Sequence, residues 1–202
     1  MTEEPSHHTT GGPGAGAPPS GPATPRRAAL MRVVAQLEEH AARAGWDAPV
    51  GVFALVRTAA ALQEDPALAR MLDDAALAEA RTDPEALCAI EQGDLPPVDS
   101  LEELLAGITW PDEVDGTAVV TERTLLPTEA EQEAAAITDP QERSAYLLAR
   151  PDRDDVRIVA GVLRSGESWC ALRTRSHDSA SEVAGGAELV PGLVEALRRT
   201  LQ

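Results

Sequence analysis

The fold is decided by residues 156–175, which read Val-Arg-Ile-Val-Ala-Gly-Val-Leu-Arg-Ser-Gly-Glu-Ser-Trp-Cys-Ala-Leu-Arg-Thr-Arg. Two runs rich in β-branched and apolar residues flank the dipeptide Ser165-Gly166, which suits a two-residue turn. Arg164 and Glu167 would then face each other as opposite charges where the turn closes. The stretch therefore predicts a β-hairpin.

A two-residue turn sets the pairing of this hairpin, with Val162 opposite Trp169 and Val159 opposite Leu172. Because side chains alternate between the two faces of a strand, one face is predicted to be apolar and to rest on helices. This predicted core face carries Val159, Leu163, Cys170 and Leu172. The opposite face is mixed, and it carries Val156, Ile158, Val162 and Trp169, then Arg173 and Arg175. We expect this mixed face to be either partly covered or a binding surface.

Composition and charge restrict the partners and the compartment. The chain has 202 residues and a formal net charge of −17. Such a surface repels nucleic acid and anionic lipid, so we expect no nucleic acid and no membrane as partners. No apolar run has the length of a membrane-spanning helix, and the first residues lack the features of a secretory signal. Cys88 and Cys170 form no CxxC pair, which is typical of reduced thiols, so we expect a cytoplasmic protein.

The first 24 residues differ from the rest of the chain in composition. They contain no Ile, Leu, Val, Phe, Tyr or Trp, and they are rich in Gly, Pro and Ala. Such a segment buries too little apolar surface to offset the entropy of ordering. The sequence therefore predicts a disordered tail over residues 1–24 and a single folded domain over residues 25–202.

Capping signals and apolar periodicity predict the elements of this domain. Thr24-Pro25 opens a helix, and an alanine-rich helical region restarts at Asp65-Pro66 and again near Asp83-Pro84. The further elements are a strand over 50–56, a short helix between Ser100 and Gly107, a strand over 117–126, a helix over 139–149, the hairpin, and a helix over 191–201. This order predicts an α+β fold, with a small, mainly antiparallel sheet and helices packed on one face.

Several segments resemble a known family when they are taken together. They are Gly45-Trp46-Asp47, Trp110-Pro111-Asp112, Gly161-Val162-Leu163-Arg164 and Leu189-Val190-Pro191-Gly192-Leu193. In these segments the chain resembles a family of uncharacterised proteins from high-GC Gram-positive bacteria. That family has no established activity, so the resemblance provides no cofactor and no catalytic residue that could be transferred to this chain.

The usual signs of catalysis and metal binding are weak in this sequence. A metal site needs several His, Cys, Asp or Glu side chains at short range, and the predicted domain has only His40 and His177, on different elements. Gly166 to Cys170 departs from the GxSxG nucleophile motif at its last position. No carboxylate is marked as buried, as a general acid or base would need to be. We therefore expect no catalytic residue, no metal and no cofactor.

The clearest candidate for a binding site is a strand rich in arginine. Every second position at the end of the second hairpin strand is basic or histidine: Arg173, Arg175 and His177. These side chains are predicted to lie on one face, and Trp169 precedes them on that face. In a chain this acidic, clustered arginines offer a site for a carboxylate or phosphate. The alternative is that they pair with the acidic residues of the chain itself.

These observations support three hypotheses about function. The first is a non-enzymatic protein that binds another protein through the mixed face, or a small anion at the arginine strand. The second is an enzyme that uses His177 as acid or base and Arg173 and Arg175 to hold an anionic substrate. The third is a structural subunit whose exposed face pairs with a second copy as a homodimer.

Overall fold

The computed structural model describes residues 23–126, 128–151 and 153–202. The predicted disordered tail, residues 1–24, lies outside these ranges except for its last two residues. The helix predicted at Thr24-Pro25 is confirmed: the Thr24 hydroxyl accepts the Arg27 backbone N–H at 3.2 Å, and Pro25 is the first helical residue. This helix, α1 (Pro25–Ala44), ends before Gly45, whose φ of 92° favours glycine.

The strands of the described residues form one six-stranded sheet in the order β2-β1-β3-β4-β5-β6, and every neighbouring pair is antiparallel. Their bounds are β1 (Gly51–Arg57), β2 (Leu87–Glu91), β3 (Gly116–Leu125), β4 (Asp154–Leu163), β5 (Ser168–Thr174) and β6 (Ala184–Gly186). The predicted α+β class and antiparallel sheet are therefore confirmed.

Six further helices connect and cover the strands in the described part of the chain. They are α2 (Thr58–Glu64), α3 (Asp74–Thr82), α4 (Leu101–Ala106), α5 (Thr128–Ala136), α6 (Pro140–Ala149) and α7 (Pro191–Thr200). A 3-10 helix, Pro66–Arg70, is separated from α2 by Asp65, and a shorter one, Ala180–Glu182, precedes β6. None of the described helices combines the length and the apolar composition needed to cross a lipid bilayer.

Helices pack on both faces of the sheet, and not on one face as the sequence indicated. On one side, which we call the α1 face, Val159 and Phe53 pack against Leu30 and Val34 of α1. On the other side, the α7 face, the side chains of β1, β3, β4 and β5 pack against Leu104 of α4 and the apolar residues of α7. Two covered faces explain why β4 is buried over nearly its whole length.

The hairpin is present, but its predicted register is wrong by one residue. The loop has three residues, Arg164 to Gly166, because the Leu163 N–H donates to the Glu167 carbonyl. Gly166 has a φ of 104°, which fits a turn closed by a glycine bulge. Gly161 therefore faces Trp169, and the side chain of Arg164 donates instead to backbone carbonyls, including that of Pro111.

The shift in register redistributes the residues of β5 between the faces. Cys170 and Leu172 lie on the α7 face, whereas Val159 and Leu163 lie on the α1 face. The prediction that these four residues share one face is therefore wrong. Trp169 is on the α1 face. The predicted mixed face therefore does not exist as one surface: Val156, Ile158 and Val162 lie on the α7 face, away from Trp169 and Arg173.

The alanine-rich region contains a third difference from the prediction. The sequence indicated a helix restarting near Asp83-Pro84, whereas α3 ends at Thr82 and residues 87–91 form β2. The run Leu-Cys-Ala-Ile-Glu has too few residues for its own periodicity to mark a strand. Its pairing with β1 overrides the helical propensity of this region.

Candidate functional site

The predicted arginine strand is part of a dense ionic cluster where β5 approaches α1. Arg173 is 5% exposed. Its Nε donates to Glu38 Oε1 at 2.6 Å and its Nη2 donates to Glu38 Oε2 at 2.9 Å. A third bond runs from Nη1 to Asp178 at 3.2 Å. The hydrogen bonding to Glu38 is the main cause that raises the pKa of Arg173, so Arg173 is charged at neutral pH.

Arg157 of β4 belongs to the same cluster, although no pattern in the sequence marks it as a site residue. It is 1% exposed. Its Nε and Nη2 lie 3.2 and 2.9 Å from Glu122 Oε1, and Nη2 also donates to the Gly45 carbonyl. The hairpin register decides this placement, because Arg157 is the direct neighbour of Arg173 across the two strands.

Trp46 lies at the centre of this cluster. The guanidinium carbons of Arg157 and Arg175 lie 4.3 and 4.9 Å from the centre of its ring, within the range of a cation–π interaction. Its indole N–H donates to Asp178 at 2.9 Å. This bond is the main cause that lowers the pKa of Asp178, and the bond from Arg173 acts in the same direction. The segment Gly45-Trp46-Asp47, between α1 and β1, was the sequence signal available for this role.

Arg175 is held at the outer side of the cluster. Its Nη2 donates to Asp47 Oδ1 at 2.6 Å, and its Nε lies 3.3 Å from Asp155. The bond to Asp47 is the main cause that raises the pKa of Arg175. Asp47 has a φ of 67° and donates its backbone N–H to Glu122, so the turn after Trp46 is tied to the sheet.

The charges of this cluster do not leave an excess of arginine. Three arginines, at 157, 173 and 175, contact five carboxylates of the described residues: Glu38, Asp47, Glu122, Asp155 and Asp178. Acids therefore outnumber the guanidinium groups, and each arginine already has a carboxylate partner. The arrangement joins α1, the turn at Trp46 and three strands.

The other two predicted site residues lie at different places. Trp169 and Arg173 line one open depression of about 350 Å3 between α1 and β5, whose lining does not include Arg175 or His177. Arg27 lies over the Trp169 ring at 5.4 Å. His177 is exposed in the turn after β5, where its Nδ1 lies 2.8 Å from the Ser176 hydroxyl.

A second candidate site lies at the opposite end of the sheet, at β2. Among the described residues no strand pairs with the outer edge of β2. The Gln92 N–H donates to Val52, and the Thr58 N–H donates to Ala86, so the even-numbered residues of β2 bond to β1. By the alternation of antiparallel pairing, the backbone groups of Leu87, Ala89 and Glu91 face outward.

An apolar depression of about 250 Å3 adjoins this edge. We call it the edge groove, and its apolar walls are Leu62, Leu68, Met71, Leu72, Cys88 and Ile90. Met71 is 82% exposed and Ile90 is 39% exposed. Burial raises the pKa of the Cys88 thiol, so this group adds a neutral, weakly polar surface to the groove.

An acidic depression of about 290 Å3 continues from the edge groove, and the two share Ala61, Leu68 and Ile90. We call its carboxylates the acidic rim: Glu64, Asp65, Asp112, Glu113 and Asp115. Arg57 is the cation in its lining, and its Nε lies 3.0 Å from Asp115. The combination of an apolar groove, an open strand edge and an acidic rim can bind an extended, positively charged chain segment.

No group of three or more His, Cys, Asp or Glu side chains in the described ranges has the geometry to hold a metal ion. Cys88 and Cys170 are both free thiols. Burial raises the pKa of each, which keeps both thiols protonated at neutral pH and makes them poor nucleophiles.

Comparison with known proteins defines the family of this chain. No curated protein and no solved structure matches it. One family model, that of the PPA1309-like proteins, matches residues 30–202, which include the whole sheet, both clusters of core residues and both candidate sites. The chain therefore belongs to the PPA1309-like protein family.

Proposed function

We propose that this chain is a non-enzymatic binding protein, and that it binds a segment of another protein at the edge groove. The observation that carries this proposal is the combination at β2 of an unpaired strand edge with the exposed side chains of Met71 and Ile90. An open edge with apolar neighbours is a template for pairing with another chain. Met side chains adapt to varied partners, which makes Met71 a suitable contact.

The surroundings of the groove support this assignment. Natural sheets usually protect an edge with charged residues, proline or a bulge. Of the three outward-facing positions of β2, only Glu91 is charged, while Leu87 and Ala89 pack against the core on the α1 face. At the other edge of the sheet, β6 has only three residues, two of them glycine, and offers little surface for pairing.

Selection from a library of displayed peptides tests this proposal. We expect selected peptides to bind the wild-type protein. Met71→Ser should lower their affinity by about tenfold or more, because burying a Met side chain contributes about 1.5 to 3 kcal/mol. The matched control is Leu125→Ser, since Leu125 is 48% exposed at the end of β3. A library without any binder, or binders that Met71→Ser does not affect, would contradict the proposal.

The second candidate function is binding of a small anion by Trp169, Arg173, Arg175 and His177, as a ligand-binding protein or as an enzyme. The depression that Trp169 and Arg173 share supports it. An anion would have to compete with Glu38 for Arg173 and with Asp47 for Arg175. Titration with inorganic phosphate, followed by tryptophan fluorescence, tests this function. Saturation that Arg175→Gln removes would support it.

We also propose the bacterial cytoplasm as the compartment. Its support is the resemblance to a bacterial family and the absence of a disulfide between Cys88 and Cys170. Cell fractionation with an antibody against the chain tests this location.

A further inference from the structure

We propose that the partner segment is a basic, extended chain that adds to β2 as a further antiparallel or parallel strand, with apolar side chains in the edge groove and basic side chains at the acidic rim. This inference rests on the proposed function, and it names the chemistry of the partner. Three features of the described residues carry it: the direction of the backbone groups of β2, the shape of the groove, and the distribution of charge.

The backbone of β2 decides that the partner is a strand. Leu87, Ala89 and Glu91 present their N–H and C=O groups at the outer edge, at the two-residue spacing of a strand. A guest strand satisfies these groups through main-chain hydrogen bonds, as in other cases of strand addition. A helix has already satisfied its own backbone groups and would leave those of β2 unpaired.

The edge groove decides which side chains the guest needs. Side chains of a guest strand alternate between its two faces, so every second residue meets the groove. The wall of the groove is formed by Leu68 and Met71 on one side and by Ile90 on the strand. Medium-sized apolar side chains at alternate positions therefore fit this site.

The acidic rim decides the charge of the guest. Five carboxylates line the depression that continues from the groove, and its Arg57 is already bound to Asp115. The chain as a whole has a net charge of −17, so a basic segment is attracted over a wide area. Because the rim continues from the groove on the same side of the sheet, arginine or lysine would reach it from positions that flank the apolar residues on the same face of the guest strand.

Charge and composition argue against two other occupants. A second copy of the chain would bring one acidic rim toward another and add a second net charge of −17. The N-terminal segment, residues 1–24, has no Ile, Leu, Val, Phe, Tyr or Trp to fill the groove. A different, basic protein is the occupant that satisfies both the apolar groove and the acidic rim.

The test uses the full chain and a synthetic peptide of about seven residues, the length of a short strand, with blocked ends. Its sequence, Arg-Thr-Ile-Thr-Ile-Thr-Arg, puts two isoleucines and two flanking arginines on one face. We expect it to bind, and we expect added salt to weaken binding. Two matched peptides are the controls: one with glutamate in place of arginine, and one N-methylated at every residue so that neither edge of its backbone can donate a hydrogen bond to β2. Both should fail to bind.

Variants of the protein separate the contributions. The double substitution Glu64→Gln and Glu113→Gln should weaken the affinity for the arginine peptide by about fivefold, since each exposed charge contributes modestly. The matched control, Glu39→Gln with Glu188→Gln, removes two exposed acids that do not line the edge groove or the acidic rim. Slower hydrogen exchange at the amides of Leu87, Ala89 and Glu91 in the complex would locate the guest at the edge.

The outcomes distinguish this inference from the proposed function. Library peptides that bind in a Met71-dependent manner but are helical, neutral or acidic would overturn the strand inference and leave the proposed function standing. A dimer whose formation protects the amides of β2 would overturn it in favour of a second copy. Binding of the N-methylated peptide with unchanged affinity would show that the backbone of β2 takes no part.

Discussion

Arg173 of β5 and Glu38 of α1 form a bidentate ion pair in which each side chain is only 6% exposed. The two residues are separated by 135 positions in the sequence. Their pairing holds α1 against the end of the sheet and uses the donors that an anionic ligand of Arg173 would need. The pair therefore supports a structural role for this arginine, and it makes a direct prediction about stability.

Glu38→Gln should destabilise the protein by about 2 to 4 kcal/mol, because it leaves the buried charge of Arg173 with Asp178 as its remaining carboxylate partner. The matched control is Glu39→Gln on the exposed side of α1, which should change the free energy of unfolding by less than about 0.5 kcal/mol. Urea titrations of the two variants measure both values. Equal losses would show that the ion pair contributes no more than a surface charge.

Two glycine substitutions test the hairpin loop. Gly166→Ala should destabilise by about 1 kcal/mol or more, since a φ of 104° is strained for any residue with a Cβ. Gly192→Ala, in the first turn of α7, should instead stabilise by about 0.5 to 1 kcal/mol, because alanine has the higher helix propensity. An added Cβ meets no atom within 4 Å at either position, so space does not confound the comparison. Thermal melts measure both effects, and midpoints of the two variants that shift in the same direction would contradict the loop geometry.

Trp46→Phe should raise the pKa of Asp178 toward its ordinary value, since phenylalanine keeps an aromatic ring but loses the indole N–H donor. The folded-state pKa of Asp178 is lowered, so this bond stabilises the protein above the unfolded pKa and is lost as the pH falls through the folded value. NMR titration of the Asp178 carboxyl measures the shift directly. The difference in stability between wild type and variant should narrow at acid pH, and a constant difference would show that ring packing accounts for it.

The two cysteines should differ in their reaction with alkylating reagents. Burial raises the pKa of both thiols, so each should react more slowly at neutral pH than a fully exposed cysteine. Cys88 is half-buried in the wall of the edge groove, whereas Cys170 is fully buried on the α7 face. Mass spectrometry should therefore detect Cys88 modified first, and a bound partner peptide should protect it. Faster labelling of Cys170 would contradict this order.

Local signals in the sequence determined much of the secondary structure. The cap at Thr24-Pro25, the capping box that begins at Ser100 and the apolar stripe of α7 each act within a few neighbouring residues, so α1, α4 and α7 could be predicted. The hairpin could also be predicted, because its two apolar runs and its turn are adjacent in the chain. Its register could not, since Gly166 permits either a two-residue or a three-residue loop and only the packing of both faces selects one.

The tertiary structure alone decided the sites. The spacing of arginines on one strand marked Arg173 and Arg175 as candidates. Their partners come from α1, the turn at Trp46 and β4, and no local pattern in the sequence identifies these partners. The sequence did not predict β2 as a strand because its five residues are stabilised by pairing with β1 and not by their own propensity. The edge groove depends on that pairing and on the position of Met71 after α2. Sequence determines what forms through neighbours in the chain, whereas contacts between distant segments, which folding alone brings together, determine the ion pairs, the open edge and the groove.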